Sequence, residues 1–280
     1  MNNKYSVLMS VYYKENPVFL IQSIESMINQ TVKPNEIVLI CDGPLTKELN
    51  DIIDKYTKKY KKIFNVIRLK QNKGLGYALN LGVKNCKNEL IARMDTDDVA
   101  KLNRCEKQLE VFNYNPNIGI VGSNIEEFSS NIDIIDTIRV VPEFHEDIIK
   151  FMKKRNPFNH PSVMYKKSEV LKAGNYQNVR FIQDYFLWID MMTNGVIGYN
   201  IQENLVSMRA NDNLYKRRSG KVYIQIQHKL LKYMKEKKIV NQFEYLFFLS
   251  LRCISSLLPT SARKIIFKKI LRKKAVKQWK

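Results

Sequence analysis

The chain has 280 residues, of which 45% are hydrophobic and 26% are charged, and this composition is typical of a globular protein and excludes wholesale disorder. Basic residues outnumber acidic ones by 20, and residues 215–280 contain 19 of the 47 basic residues but only two acidic ones. The four cysteines have neither CxxC nor Cys/His spacing, which argues against a disulfide framework or a zinc site, and the N-terminus has no secretory signal pattern.

Short β-branched runs alternate with helical patterns through the first half of the chain. Because strand–helix–strand alternation is typical of parallel strands joined by crossover helices, we predict an α/β fold with a mainly parallel sheet covered by helices on both faces. The predicted strands are Tyr5–Val11, Glu36–Cys41, Ile63–Leu69, Glu89–Met94 and Ile118–Phe128, and the predicted helices begin at Pro17 and cover about 46–60, 76–84 and 101–114.

The pattern is looser beyond residue 130. The sequence predicts extended segments at Ile132–Val141 and Val196–Met208, a short strand at Ser162–Tyr165, and helices at Phe144–Lys154, Asp184–Thr193 and about 220–237, 241–257 and 261–274. The most apolar part of this region, Phe243–Leu258, is shorter than the roughly 20 apolar residues that a membrane span requires.

Acidic residues directly follow two of the predicted parallel strands. Asp42 follows the second strand, and Asp95, Asp97 and Asp98 follow the fourth. Because ligands of open α/β sheets bind at the carboxyl ends of the strands, we expect these carboxylates at one edge. A hard cation such as Mg²⁺ or Mn²⁺ would offset their repulsion. The alternatives are a solvated turn that caps the next helix and, for Asp42, an ordinary Asp-Gly-Pro turn.

The order of these segments resembles that of the family 2 glycosyltransferases, which have the GT-A fold. The matching segments are SVLMSVYYKEN, IVLICDGP and NKGLGYALNLGVKNCKNELIARMDTDD. The resemblance is strongest to bacterial enzymes that build capsule, exopolysaccharide (including amylovoran) and O-antigen chains. It implies a GT-A domain over residues 1–215, with a nucleotide-sugar half at about 1–128 and an acceptor half at about 129–215, followed by a basic amphipathic helical tail at 216–280.

The resemblance implies a role for each matching residue. Asp95 and Asp97 form the family's DxD motif, in which Asp97 with Asp95 holds Mg²⁺ or Mn²⁺ on the diphosphate. Asp184 matches the general base of the family's Glu-Asp motif, although Gln183 stands where the motif has an acid. A helix cap is the structural alternative for Asp184. The nucleotide-sugar residues would be Ser10, Val11, Tyr12, Glu15, Asp42, Lys73, Asn80 and Asp95. The acceptor or sugar residues would be Gln183 and His160, although a lone histidine is more often structural.

The resemblance implies an inverting transfer from a nucleoside-diphosphate sugar to a saccharide acceptor in cell-surface polysaccharide biosynthesis, and we expect this acceptor to be lipid-linked. In that reaction Asp184 takes the proton of the attacking hydroxyl, and the cation neutralises the leaving nucleoside diphosphate. Two alternatives remain open. A nucleotidyltransferase would have a glycine-rich loop after the first strand, whereas residues 12–16 contain no glycine. In a non-catalytic membrane or nucleic-acid binding module, the acidic cluster would be incidental.

The C-terminal tail interleaves basic and apolar residues. An amphipathic helix of this kind is typical of binding to an anionic membrane surface, so we expect a cytoplasmic protein peripheral to the inner face of the cell membrane. We expect no nucleic-acid partner, because no nucleic-acid-binding fold signature accompanies the charge. A helical cap on the sheet is the alternative. The basic groups are Lys216–Arg218, which could instead contact a phosphate, then Arg263, Lys264, Lys268, Lys269 and Arg272–Lys274.

Overall fold

In the computed structural model, residues 4–210, 220–257 and 273–274 are described. Their strands are β1 (Tyr5–Val11), β2 (Glu36–Cys41), β3 (Phe64–Arg68), β4 (Leu90–Arg93), β5 (Val99–Ala100), β6 (Ile118–Phe128), β7 (Thr137–Arg139), β8 (Met164–Lys166), β9 (Ile197–Arg209) and β10 (Lys273–Lys274). These strands form one sheet in the order β10-β7-β6-β8-β4-β1-β2-β3, with β9 beside β6 and β5 beside β9.

Parallel pairing dominates the first half of the chain. Strands β3, β2, β1 and β4 are mutually parallel, and β9 runs parallel to β6. Strand β8 runs antiparallel to both β4 and β6, and therefore joins the parallel block to the rest of the sheet. The predicted α/β class is confirmed.

Helices cover both faces of this sheet. Asn16 caps the first helix, because its side chain accepts the N–H groups of Val18 and Phe19 while Pro17 occupies the first helical position. The helices are α1 (Pro17–Ile28), α2 (Lys47–Lys59), α3 (Leu75–Asn85), α4 (Arg104–Tyr114), α5 (His145–Met152), a 3₁₀ turn (His160–Ser162), α6 (Lys167–Lys172), α7 (Gln183–Thr193), α8 (Gly220–Glu236) and α9 (Gln242–Leu257).

The core consists of two apolar clusters separated by the sheet. Successive side chains of a strand point to opposite faces, so Leu8 of β1 joins one cluster and its neighbours Val7 and Met9 join the other. The Leu8 cluster contains α3 and α7 side chains, and the other contains α1, α2 and α4 side chains. The prediction of helices on both faces is therefore confirmed.

Helix α8 is part of this core. Leu230, Leu231 and Met234 are fully buried in the Leu8 cluster. Asp190 of α7 fixes the helix further, since it accepts a hydrogen bond from the Tyr233 hydroxyl at 2.5 Å and pairs with the Lys237 ammonium at 2.7 Å. The sequence region predicted to be a separate tail therefore contributes core side chains.

The last predicted helix is wrong at its end. Lys273–Lys274 form a strand antiparallel to β7. Residues 261–272 of the predicted helix lie outside the described residues. The predicted domain boundary at 215 and the basic group 216–218 also lie outside them. Helix α6 and strand β5 were absent from the sequence prediction. None of the described helices has both the length and the apolarity needed to cross a lipid bilayer.

Candidate active site

The carboxyl ends of β1, β2 and β4 lie side by side. Val11 pairs with Cys41, and the next residue on β2 is Asp42. Leu8 pairs with Arg93, which is two residues before Asp95. Parallel pairing therefore brings Asp42 and the 95–98 turn to one edge of the sheet, hereafter the carboxyl edge.

The buried Asp42 carboxylate holds the loop that follows β3. Its two oxygens accept the backbone N–H groups of Lys73 at 2.7 Å and Gly74 at 2.9 Å, and its carbonyl accepts from the Asn72 side chain at 3.0 Å. Gly43 has a φ of +91°, and a Cβ there would lie 2.6 Å from the Asn72 nitrogen. This close approach requires glycine, so Asp42-Gly43 fixes the position of the 72–74 loop.

A second segment, residues 174–178, closes over the same loop. The Asn80 side chain donates to the Tyr176 carbonyl at 2.8 Å, and Asn178 donates to the Lys73 carbonyl at 3.1 Å. A Cβ on Gly76 would lie 2.4 Å from the Gln177 carbonyl oxygen, so the segment is in direct contact with the first turn of α3. Asn80, which the resemblance assigns to the nucleotide, is thus engaged with the 174–178 segment.

The end of β1 is tied to the 95–98 turn. The Thr96 hydroxyl contacts the Ser10 carbonyl at 3.3 Å and makes a short hydrogen bond to the Glu15 carboxylate. Burial raises the pKa of Glu15, and the hydrogen bond from Thr96 opposes that shift. Val11 is buried, whereas Tyr12 projects from the end of the strand with its ring exposed.

The acidic turn is electrostatically crowded. Burial raises the pKa of Asp97 to about 7, and the negative charges of Asp95 and Glu15 add to the shift. Asp98 is buried beside it and accepts the backbone N–H of Arg209 at 2.8 Å, and burial followed by the charge of Asp97 raises its pKa. The turn therefore holds more negative charge than its protein neighbours neutralise.

Arg93 is the principal cation beneath this turn. Its guanidinium is fully buried and forms an ion pair with the Asp95 carboxylate, while its Nε and Nη1 have no hydrogen-bond partner among the described residues. Arg104, also buried, supports this strand end by donating to the Arg93 carbonyl at 2.7 Å and the Val163 carbonyl at 3.1 Å. No role for Arg93 was predicted from the sequence, although a basic residue in the buried strand β4 is a visible signal.

The donor atoms of the turn suit a hard divalent cation. Asp95 and Asp97 are only partly buried, and they provide carboxylate oxygens, the ligands that Mg²⁺ and Mn²⁺ prefer. Within the described residues, no group of three or more His, Cys, Asp or Glu side chains is arranged as a metal site. Mg²⁺ is typically bound through one or two carboxylates together with substrate phosphates, and a pair of aspartates fits that pattern.

Asp184 lies in the first turn of α7, in contact with neutral donors. The Asn156 side chain donates to its Oδ2 at 2.6 Å, and Arg139 donates to the Asn156 carbonyl at 2.9 Å. Burial raises the pKa of Asp184, while the hydrogen bonds from Asn156 and from the Tyr185 N–H, followed by the charge of Arg139, oppose the shift. Gln183 is buried next to it. Asn156 was not identified from the sequence as a partner of Asp184.

An aromatic cluster lies within electrostatic reach of both acidic regions. The Nε2 of His160 is 3.1 Å from the Tyr176 hydroxyl, and the His160 ring is 6.1 Å from that of Trp188. Burial and the charge of Arg93 hold the pKa of His160 well below its usual value, so its ring is neutral. The charges of Asp184 and Asp95 both act to raise the pKa of the Tyr176 hydroxyl, so both carboxylates lie within electrostatic reach of this cluster.

Comparison with known proteins finds related sequences over most of the chain. Residues 6–174 match the family model described as Glycosyl transferase family 2. The chain is 38% identical over 270 residues to an Escherichia coli protein named UDP-Gal:alpha-D-GlcNAc-diphosphoundecaprenol beta-1,3-galactosyltransferase, with 96% of this chain and 97% of that protein covered. It is 31% identical to the amylovoran biosynthesis glycosyltransferase AmsE of Erwinia amylovora, with 95% and 98% covered.

Solved structures share the fold at low sequence identity. The S. aureus TarS fragment 1–349 in complex with UDP-GlcNAc has a TM-score of 0.64 at 13% identity, covering 89% of this chain and 71% of that one. The mannosyltransferase PcManGT from Pyrobaculum calidifontis, in complex with GDP-Man and Mn²⁺, has a TM-score of 0.61 at 11% identity, covering 92% and 77%. These likenesses confirm the predicted GT-A fold.

Proposed function

The chain belongs to glycosyl transferase family 2, and from this membership we propose that it transfers a sugar from a nucleoside-diphosphate sugar to a lipid-linked saccharide during synthesis of a cell-surface polysaccharide. The printed name of the E. coli relative supports UDP-galactose as the donor and GlcNAc-diphosphoundecaprenol as the acceptor to test first. Family membership removes the nucleotidyltransferase and the non-catalytic binding module that the sequence alone left open.

One observation carries the proposal. The carboxylates of Asp95 and Asp97 crowd one another, the carboxylate of Asp184 is separate from them, and both Asp95 and Asp184 lie within electrostatic reach of the Tyr176 hydroxyl. Sugar transfer from a nucleoside diphosphate needs two such groups with different tasks, because one end of the reacting centre gains negative charge while the other loses a proton.

We assign the cation to the crowded group. Asp97 and Asp95 would hold Mg²⁺ or Mn²⁺ together with the donor diphosphate, and the solved mannosyltransferase with GDP-Man and Mn²⁺ supports this. When bound there, the cation neutralises the charge that develops on the leaving nucleoside diphosphate. Arg93 fixes the Asp95 carboxylate from beneath, and Thr96 with Glu15 fixes the turn from the side of β1.

Asp184 is the general base of this proposal. It takes the proton from the acceptor hydroxyl as that oxygen forms a bond to the anomeric carbon and the bond from that carbon to the diphosphate oxygen breaks. A single displacement of this kind inverts the anomeric configuration. The hydrogen bonds from Asn156 and the Tyr185 N–H orient the carboxylate, and its raised pKa brings it closer to the working pH, where a general base is most effective.

The nucleotide side of the proposal involves the end of β1 and the 72–74 loop. Ser10, Val11 and Tyr12 would contact the base and ribose, together with Lys73, whose ammonium lies 4.6 Å from the centre of the Tyr77 ring. Asp42 already binds two backbone N–H groups, but each carboxylate oxygen can accept a further hydrogen bond from a ribose or base. His160 and Gln183 would face the sugar or the acceptor.

The test is transfer of galactose from UDP-galactose to a synthetic GlcNAc-diphospholipid, followed by UDP release and by mass spectrometry of the lipid product. We expect product only with divalent cation present, and product formation about 10²–10⁴-fold slower with the Asp184→Asn variant. UDP-glucose is the matched donor control. Transfer that is unaffected by a chelator, or by Asp184→Asn, would overturn the assignment of these carboxylates.

The proposed place of action is the cytoplasmic face of the cell membrane, where the protein would be peripheral. The support is the excess of basic residues over residues 215–280, since each Lys or Arg near an anionic membrane surface contributes about 1 kcal/mol of binding.

A further inference from the structure

Helix α9 presents an apolar face to solvent. Its large apolar side chains on that face are between 47% and 84% exposed. At 100° per residue, they fall within an arc of about 140° of the helix circumference, so they form one continuous surface. This surface, hereafter the α9 stripe, consists of Phe243, Leu246, Phe247, Leu251 and Ile254.

The opposite face of the same helix is already used by the fold. Tyr245, Phe248 and Leu249 pack against the core cluster. Polar contacts fix the rotation of the helix, since Glu244 pairs with Lys153 at 2.8 Å and Arg252 donates to the Gln227 side chain at 2.8 Å. The stripe therefore faces outward in the folded protein.

A helix with apolar side chains on both its buried and its exposed face is expected to bury the exposed face against a partner. A surface helix normally carries polar residues opposite its buried face, and a helix that is apolar all round is normally buried all round. Five neighbouring exposed apolar side chains also form the kind of contiguous patch that marks an interaction surface in soluble proteins.

The charge of the C-terminal sequence that contains the stripe favours an anionic partner. Residues 215–280 contain 19 basic and two acidic residues. Exposed lysines on α8 and in the turn before α9, among them Lys232, Lys235 and Lys238, lie on the same helical pair. A second copy of the chain would bring the same positive charge to the contact, whereas a bilayer with anionic headgroups offers both opposite charge and an apolar interior.

We propose that the α9 stripe is a membrane-docking surface that inserts into the headgroup region of an anionic bilayer. An interfacial helix lies in the membrane plane with its apolar face buried about 5–10 Å, and basic residues beside it bind the headgroups. The proposal relies on the proposed function only in that a lipid-linked acceptor gives the enzyme a reason to reside on a membrane.

The experiment compares flotation of the protein with vesicles of pure phosphatidylcholine and with vesicles containing half phosphatidylglycerol. We expect the wild-type protein to float with the anionic vesicles. The double variant Phe243→Ser, Phe247→Ser should bind them at least about tenfold more weakly. The matched control is Tyr114→Ser with Ile134→Ser, which removes two equally exposed apolar side chains elsewhere and should leave binding unchanged.

Two further measurements separate the outcomes. Transfer to a water-soluble acceptor analogue should be equal in wild type and the double variant, so that loss of docking is distinguishable from loss of catalysis. The proposal is overturned if the double variant binds anionic vesicles like the wild type. It is also overturned if sedimentation shows that the wild type is a dimer and the double variant a monomer, because the stripe would then contact a second copy. A double variant with a lower Tm and unchanged vesicle binding would overturn it as well, because the chain itself would then cover the stripe.

Discussion

Asp97 and Asp184 are both partly buried carboxylates with a raised pKa, yet their surroundings differ. At Asp97, burial and the negative charges of Asp95 and Glu15 act in the same direction. At Asp184, burial is opposed by the Asn156 amide, a backbone N–H and the charge of Arg139. The negative charges around Asp97 therefore outweigh the opposing charge of Arg93, whereas at Asp184 hydrogen bonds and the charge of Arg139 oppose the effect of burial.

This difference suits the two carboxylates to two kinds of chemistry, cation binding at Asp97 and proton acceptance at Asp184. A carboxylate crowded by other carboxylates gains most from binding a divalent cation, which offsets all of their charges together. A carboxylate held by neutral donors remains available to accept a proton. The predictions below test this division of labour, from the largest expected effect to the smallest.

Asp184→Asn should have the largest effect on turnover. The amide keeps the shape of the side chain but cannot accept the proton of the acceptor hydroxyl, so kcat should fall by about 10²–10⁴-fold. Binding of the donor nucleotide, measured by calorimetry, and Tm should stay close to those of the wild type. Near-normal transfer by this variant would eliminate Asp184 as the base.

Asp97→Asn should reduce transfer by roughly 10²–10³-fold, the range typical of removing one group that stabilises developing charge. The same change should raise the Tm of the metal-free protein, because it removes one of the like charges around Asp95 and Glu15. UDP release measures the loss of transfer, and differential scanning fluorimetry measures the Tm with and without Mn²⁺. The stabilisation by Mn²⁺ and UDP should disappear in the variant.

The matched control for this prediction is Asp51→Asn, which removes an exposed carboxylate on α2. It should change neither transfer nor the response to Mn²⁺. If Asp97→Asn lowered the Tm of the metal-free protein, the turn would be stabilised by its own carboxylates, and the contrast with Asp184 would fail.

Asn156→Ala should lower kcat at neutral pH by about tenfold, because a hydrogen bond to a charged group typically contributes about 1.5–3 kcal/mol. Asn156 donates to the ionised form of Asp184 and so lowers its pKa. Removing that donor raises the pKa, and since the base acts when ionised, the acidic limb of the kcat profile should move to higher pH. Activity should recover in part on the alkaline side.

Asn85→Ala, at an exposed position on α3, is the control for an asparagine without contact to the site, and its pH profile should match the wild type. A uniform loss of activity at every pH in Asn156→Ala would mean that Asn156 has a purely structural role.

The sequence predicted those strands and helices whose pattern of buried residues can be recognised from neighbouring positions along the chain. Tyr5–Val11, Glu36–Cys41 and Ile118–Phe128 were predicted to the residue, because each is a buried apolar run bounded by polar or turn residues. Helix α6 has only six residues, too few for a helical period to be recognised. Strand β5 has two residues that pair with β9, about a hundred positions away, and no local pattern encodes such pairing.

The site shows the same limit. The sequence identified the acids because carboxylates at strand ends and at a helix start are visible as local patterns. It did not identify Asn156 as a partner of Asp184, because the contact spans 28 positions and depends on how the loop after α5 meets α7. Tyr176 likewise comes within electrostatic reach of Asp95 and Asp184 only through folding of the 174–178 segment against α3.

Gln183→Glu should have the smallest effect and is the finest test of the contrast. Gln183 is buried beside Asp184, and a carboxylate there would give Asp184 the kind of acidic neighbour that Asp97 has. The pKa of Asp184 should rise, so kcat should fall several-fold near pH 6 and match the wild type near pH 9. Gln225→Glu, which adds an exposed carboxylate on α8, is the control for the added charge and should leave the profile unchanged. A Gln183→Glu profile identical to the wild type would mean that Asp184 is insensitive to a neighbouring charge, and the distinction between the two carboxylates would then depend on metal binding alone.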